Sequence, residues 1–191
     1  MKAISAEASS CTICAEHLEL GPRPVFAIHP ESRVLIIGQA PGRKVHESGI
    51  PWADASGKRL REWMGVSEEQ FYDVSKFAIL PMGFCYPGKG RSGDLPPRPE
   101  CAPRWHDAMI GLMPNVSLTL LFGQYAMRHY LGGSMAANLT DTVGLWREYL
   151  PDYLPMPHPS PRNNIWLRKH PWFEKEVVPY LQKRIEELLH S

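Results

Sequence analysis

The sequence predicts an α/β fold: a three-layer α/β/α domain around a four-stranded, mainly parallel sheet. Short apolar runs that end in glycine or proline recur along the chain, and segments with helical spacing of apolar residues lie between them. Strands that alternate with helices build a parallel sheet covered on both faces. With 191 residues and 43% hydrophobic content, the chain has enough apolar surface for one sizeable core. A single domain over 1–191 is therefore expected.

The first 20 residues, MKAISAEASSCTICAEHLEL, read as an N-terminal extension that carries Cys11 and Cys14. They lack the apolar core of a signal peptide. The first strand is RVLIIGQAPG, residues 33 to 42, running straight into a glycine and proline turn. KFAILPM (76 to 82), SLTLLFG (117 to 123) and, more weakly, DYLPMPH (152 to 158) repeat the pattern. Between them, Ser56 is placed to cap a helix with Leu60, Trp63 and Met64 on one face. Trp105, Met109, Leu112 and Met113 share a face of another helix, GQYAMRHYLG is a third that ends in glycine, and Val177, Leu181, Ile185 and Leu188 mark a closing helix. In such folds the ligand sits beyond the carboxyl ends of the strands, at the loops starting at Gly38, Pro81, Gly123 and Pro157.

Composition narrows the function classes. No stretch approaches the roughly 18 apolar residues of a membrane span, so a soluble, cytoplasmic and monomeric protein is expected. The net charge of +1 does not by itself announce nucleic acid. The 19 prolines, many beside polar residues, predict stiffened working loops on a compact frame.

Three local patterns carry chemistry. GQAPGRK resembles an anion-binding glycine turn, but its lysine is displaced from the place a nucleotide P-loop requires. Glycine is expected there for its dihedral freedom. Cys11 and Cys14 form a C-x2-C pair, whereas Cys85 and Cys101 lie 15 residues apart. This spacing fits a shared metal site as well as scattered thiols, and does not separate zinc from an iron-sulfur cluster. In MPHPSPRNN, Pro157, Pro159 and Pro161 hold the residues before them extended, so that His158, Ser160 and Arg162 are expected to project from one side.

Together these segments resemble the uracil-DNA glycosylase superfamily, over nearly the whole chain. LIIGQAPG is similar to its first motif, HPSPRNN to its second, and GIPWADASG to the segment whose aromatic residue stacks on an extruded base. The four cysteines match the layout of the iron-sulfur branches, families four and five, and the resemblance implies a structural 4Fe-4S cluster on Cys11, Cys14, Cys85 and Cys101, with zinc as the alternative. It implies base excision repair of DNA that contains uracil or another deaminated base. His158 would donate a hydrogen bond to the departing base. Gly38, Ala40, Trp52 and Leu80 would contact the base, the last through backbone groups at Leu80 to Gly83. Ser160, Arg162 and Asn163 would contact DNA, although Asn163 and Asn164 are also suited to cap the next helix. Lys89 and Arg91, in a loop over 86–100 beside the cluster, would track phosphates.

The chain departs from that pattern in ways that bear on water activation. Gln39 stands where the fourth family usually has glutamate, and it can orient water but not take its proton. Ala40 stands where the first family has aspartate, and Pro81 where the iron-sulfur families have an asparagine that reads the base. Asp54, in DASG, is the remaining candidate base and is equally suited to be a helix-entry acid. His46 and Glu47 are further acid-base candidates. Two other readings fit the same departures: a lesion-binding protein that keeps the fold without hydrolysis, and a small-nucleotide binder.

Overall fold

Val34–Ile37, three of whose four residues are β-branched, form β1 with every side chain buried. In this computed structural model, which describes residues 2–190, β1 lies inside a sheet with β2 (Phe77–Ile79), β5 (Leu118–Phe122) and β6 (Tyr153–Met156). The order is β2-β1-β5-β6 and every pairing is parallel. The terminal residues 1 and 191 of the expected domain lie outside the described residues. All four expected strands form, and residues buried on both faces explain their unbroken apolar runs. Pro155 falls in β6, an edge strand, where a missing N–H is tolerated. The other edge is covered by a segment the sequence did not mark: Ala27 and Ile79 exchange backbone hydrogen bonds of 2.8 and 2.7 Å beside β2. The remaining strands, β3 (Lys89–Gly90) and β4 (Gly93–Asp94), pair antiparallel as a small hairpin within the expected loop.

The helices pack around the sheet. α1 (Lys2–Ser9) lies against α5 (Cys101–Ile110), with Ala8 in the core and Glu7 paired to Arg104 at 2.7 Å. α2 (Arg43–Ser48) follows β1 directly, and α3 (Ala55–Met64) buries Leu60, Trp63 and Met64 as their spacing predicts. Its cap is Asp54, not Ser56: the Asp54 carboxylate accepts the Gly57 N–H at 2.9 Å, and Ser56 is buried in the first turn. The helix begins two residues earlier than a Ser56 cap would place it, because an aspartate in extended backbone satisfies one of the orphan N–H donors of the first turn. α4 (Glu68–Tyr72) starts on a capping box of Ser67 and Gln70. α5 ends at Ile110, so Leu112 lies beyond it while Trp105, Met109 and Met113 are buried. α6 (Gln124–Leu131) stops at Gly132, and α7 (Leu139–Gly144) precedes β6. α8 (Asn164–Lys169) follows the HPSPRNN segment, and a turn of π-helix over Phe173–Val177 leads into α9 (Val178–His190), which packs on α3. Val177, Leu181, Ile185 and Leu188 are all buried, as expected. Among the described residues, no helix is long and apolar enough to cross a membrane.

Candidate functional site

The loops leaving the carboxyl ends of the four sheet strands meet around a cleft of ≈ 660 Å³. This is where a parallel sheet places its ligands. His158, Asp54 and Gln39, the base-contact candidates Gly38, Ala40 and Trp52, and Ser160, Arg162 and Asn163 all line this cleft, whereas Leu80 does not. Leu80 is fully buried, and its N–H donates to the Ile36 carbonyl at 3.0 Å. The N–H groups of Met82 and Gly83 are likewise engaged, by the Gly38 and Gln39 carbonyls at 2.9 and 3.0 Å. Backbone reading of a base by the donors of Leu80 to Gly83 therefore does not fit: strand-end hydrogen bonding has already used them. What this segment offers the cleft is the Pro81 ring.

His158 stands between two buried prolines, 157 and 159, at the head of the turn that follows β6. Its Nδ1 accepts the Ser160 N–H at 3.2 Å. A nitrogen that accepts holds no proton, so the neutral ring carries its proton on Nε2 as a donor. Burial pushes its pKa below the ordinary histidine value, against the opposing pull of the Asp54 carboxylate. The HPSPRNN backbone is extended at Ser160 (φ −62, ψ 143), but Pro161–Asn163 form a 3-10 turn, so Arg162 reaches the cleft from a turn rather than from an extended run. Polar side chains hold this turn. Asn163 Nδ2 donates to the His158 carbonyl at 2.7 Å, and Arg59 from α3 donates to the Ser160 carbonyl at 3.3 Å. Asn163 precedes α8 in sequence, yet its side chain makes no cap bond because it grips His158 instead. The Ser160 hydroxyl accepts the Arg162 N–H at 3.2 Å. The exposed Arg162 guanidinium leans on the hairpin, donating to the Ser92 carbonyl at 3.5 Å.

Trp52 faces the same ring. Its indole stacks on the His158 imidazole with centroids 5.5 Å apart and planes 28° apart, and meets Phe122 edge-on at 5.6 Å. Its backbone has φ 56, a left-handed conformation that is costly for a bulky residue. Neighbours impose it: a Cβ on Gly57 would lie 1.7 Å from the Trp52 carbonyl oxygen, and the Tyr72 hydroxyl holds the Pro51 carbonyl at 3.0 Å. Gly38 is needed for room rather than for its dihedrals. Its φ is not positive, but a Cβ there would sit 3.1 Å from Trp52 Cζ2. Gly42, at φ −77 and ψ 172, is also in ordinary extended backbone.

Asp54 caps α3 through Oδ1 and also lines the cleft. Gln39 donates its amide to the Leu95 carbonyl at 3.1 Å, which ties the first loop to the hairpin. His46 and Glu47 do not line the cleft; His46 is buried, and Glu47 pairs with Arg43 at 3.0 Å. Lys89 and Arg91 are exposed on the hairpin. Sequence reasoning missed Asp94, which the hairpin brings to the cleft rim. Burial, then the nearby Asp94 carboxylate, raises the pKa of Tyr86. It also missed His106, buried in α5 with Nε2 against the Pro81 carbonyl at 3.0 Å and Nδ1 against the Tyr130 hydroxyl. Burial pushes the His106 pKa down to about 4 and raises that of Tyr130. Neither residue falls in a motif, so the sequence carried no local signal for them.

Cys11, Cys14, Cys85 and Cys101 are free thiols of intermediate burial. Burial pushes Cys85 up to about 11 and Cys101 up to about 12, and charge on Cys11 and Cys14 adds to both. The four therefore lie within one another's electrostatic reach. Phe84 N–H donates to Cys101 Sγ at 3.3 Å, as backbone donors do around bound thiolates. Among the described residues no three Cys, His, Asp or Glu side chains close into a metal-binding group. The donor set, four thiols from both flanks of the hairpin and the N-terminal segment, nonetheless has the chemistry that a thiophilic centre requires.

The sequence model of the Uracil DNA glycosylase superfamily matches residues 26–182. Over 116 residues the chain is 24% identical to the Type-4 uracil-DNA glycosylase of Sulfurisphaera tokodaii, covering 59% of this chain and 49% of that protein. The chain thus spans about half the length of this curated relative.

Proposed function

The chain belongs to the uracil-DNA glycosylase superfamily, and from that premise we propose that it hydrolyses the N-glycosidic bond of uracil, or of a related deaminated base, in DNA. The observation that carries this reading is the Ser160 N–H on His158 Nδ1, which leaves Nε2–H as a donor at the cleft. When the base leaves its sugar, the bonding electron pair goes with it and charge spreads from the departing ring nitrogen onto the carbonyl oxygens of the base. A fixed, water-shielded donor there stabilises the transition state more than the ground state. Gly38, Ala40 and Trp52 wall the space for the extruded base, which must leave the helix to be reached. The sugar becomes cationic as the base departs. The Asp54 carboxylate stabilises it and takes the proton of the water that adds to the sugar carbon, while Gln39 orients that water. Ser160 and Arg162 bind flanking phosphates, and Lys89 and Arg91 extend the basic track.

Cys11, Cys14, Cys85 and Cys101 would hold a 4Fe-4S cluster. Such a centre would supply a covalent tie between the N-terminal segment and both ends of the hairpin segment, which itself touches Gln39 and Arg162.

Single-turnover assays on uracil-containing single and double strands test the function. Abasic product is the expected result. Tight binding without product would instead support a lesion-binding protein, a reading favoured by Gln39, which cannot accept a proton and whose amide already holds Leu95.

A further inference from the structure

We propose that Ser56 is a second holder of the attacking water: its hydroxyl and the Asp54 carboxylate, both brought to the cleft at the start of α3, bind one water between them. This rests on the reading of Asp54 as the group that takes the water's proton. Ser56 is 8% exposed and lines the cleft. Among the described residues its hydroxyl has no hydrogen-bond partner. The partnerless side-chain atoms that are sealed from solvent are His46 Nδ1 and Arg61 Nη1, so the Ser56 hydroxyl, which also lacks a partner, is open at the cleft. A hydroxyl in so buried a residue is costly unless water or a ligand meets it. The cap does not require it: Asp54 Oδ1 accepts the Gly57 N–H at 2.9 Å and the Asp54 carbonyl accepts the Lys58 N–H at 3.1 Å. Nor does packing require it, since alanine would place the same Cβ.

Asp54 spends Oδ1 on the cap, which leaves Oδ2 without a donor among the described residues. Ser56 stands two residues on, at most about 7 Å away even along an extended chain, and its Cα–Cβ bond tilts back toward the start of the helix. One water, at about 2.8 Å from each neighbour, bridges such a pair. The pair also selects its occupant. A phosphate oxygen would meet the Asp54 carboxylate as like charge, and a base carbonyl would offer it only lone pairs. Water has two hydrogens to give: one goes to Asp54 Oδ2 and the other to Ser56 Oγ, and a lone pair is left for the sugar carbon. As the C–N bond breaks and its electron pair leaves with the base, that lone pair forms the C–O bond and the proton passes to Asp54. Gln39 is less free for this task. Its amide nitrogen already donates to the Leu95 carbonyl at 3.1 Å, which leaves only its oxygen.

The test combines crystal structures of the free protein, at a resolution that orders water, with single-turnover excision by wild type, Ser56→Ala and Ser56→Thr. A water within hydrogen-bond reach of both Asp54 Oδ2 and Ser56 Oγ is expected in wild type and not in Ser56→Ala. The excision rate of Ser56→Ala should fall about tenfold, the loss of one hydrogen bond to the nucleophile, with affinity for uracil-containing DNA within about threefold of wild type. In an Asp54→Asn background the same substitution should cost less than about threefold, because two groups that hold one water do not act additively. Ser56→Thr keeps the hydroxyl and should keep the rate; should threonine not fit the buried site, Ser56→Ala decides alone. A wild-type rate in Ser56→Ala, or a water that stays in place there, would overturn the proposal. Equal losses of rate and DNA affinity would overturn it too, and would assign the hydroxyl to the base or the backbone of the DNA. If wild type excises no base yet holds this water and loses it in Ser56→Ala, the water site stands and the glycosylase reading falls.

Discussion

Asn163 Nδ2 holds the carbonyl oxygen of His158 at 2.7 Å, across the 3-10 turn that separates them. The bond fixes the peptide from which the imidazole projects. Asn163→Ala should lower the single-turnover excision rate about tenfold, the equivalent of one lost hydrogen bond of about 1.4 kcal/mol. An unchanged rate would mean that Pro157, Pro159 and Arg59 suffice to hold the turn.

Removal of the imidazole itself should cost much more. His158→Ala is expected to slow the chemical step by about 10²-fold or more, the scale of losing a fixed donor to a developing anion. Binding to uracil-containing strands should change little, as measured by titration of labelled DNA under non-cleaving conditions.

Asp54 allows capping to be separated from catalysis. Asparagine caps as well as aspartate does, so Asp54→Asn should keep the melting temperature while lowering the rate about 10²-fold. Asp54→Ala should lose the rate and also about 1 kcal/mol of stability in urea unfolding. A full rate in Asp54→Asn would assign water activation to Gln39 or to ordered water.

His106 gives the fold an acid limit. Its folded pKa of about 4 lies below the unfolded value of 6.5, so below pH 6.5 the unfolded chain binds a proton that the folded chain refuses. Stability therefore falls as pH drops from 6.5 towards 4, by about 3 kcal/mol for this group. His106→Gln should flatten that limb of the unfolding free energy against pH. An equally steep limb in the variant would assign the acid sensitivity to other groups.

Purified protein should contain iron and absorb near roughly 400 nm. Cys101→Ser should lose that band, and urea unfolding should then occur at lower denaturant concentration. A colourless, zinc-bearing preparation would replace the cluster with the alternative metal.

The sheet was legible because strands buried on both faces cannot afford polar interruptions, and β1 and β5 show none apart from Thr119. The cleft was legible because proline and glycine mark the strand ends that build it. What the sequence did not show are relationships made by distant partners. The cap at Asp54 competes with a serine two residues on, and only the backbone decides between them. The donors of Leu80 to Gly83 look available in a string of letters but are used by β1 and its loop. The left-handed backbone of Trp52 depends on Gly57 and Tyr72, neither of which marks a tryptophan as unusual.

Gly123, at φ 83, turns β5 into α6 with no intervening residue, between the strands that carry the first loop and His158. Added length at the middle of the cleft floor would therefore act as a stopper, since Gln124 and Tyr125 already line the opening. Added length has room at the flank, where the hairpin after Cys85 borders the opening, rather than at the centre.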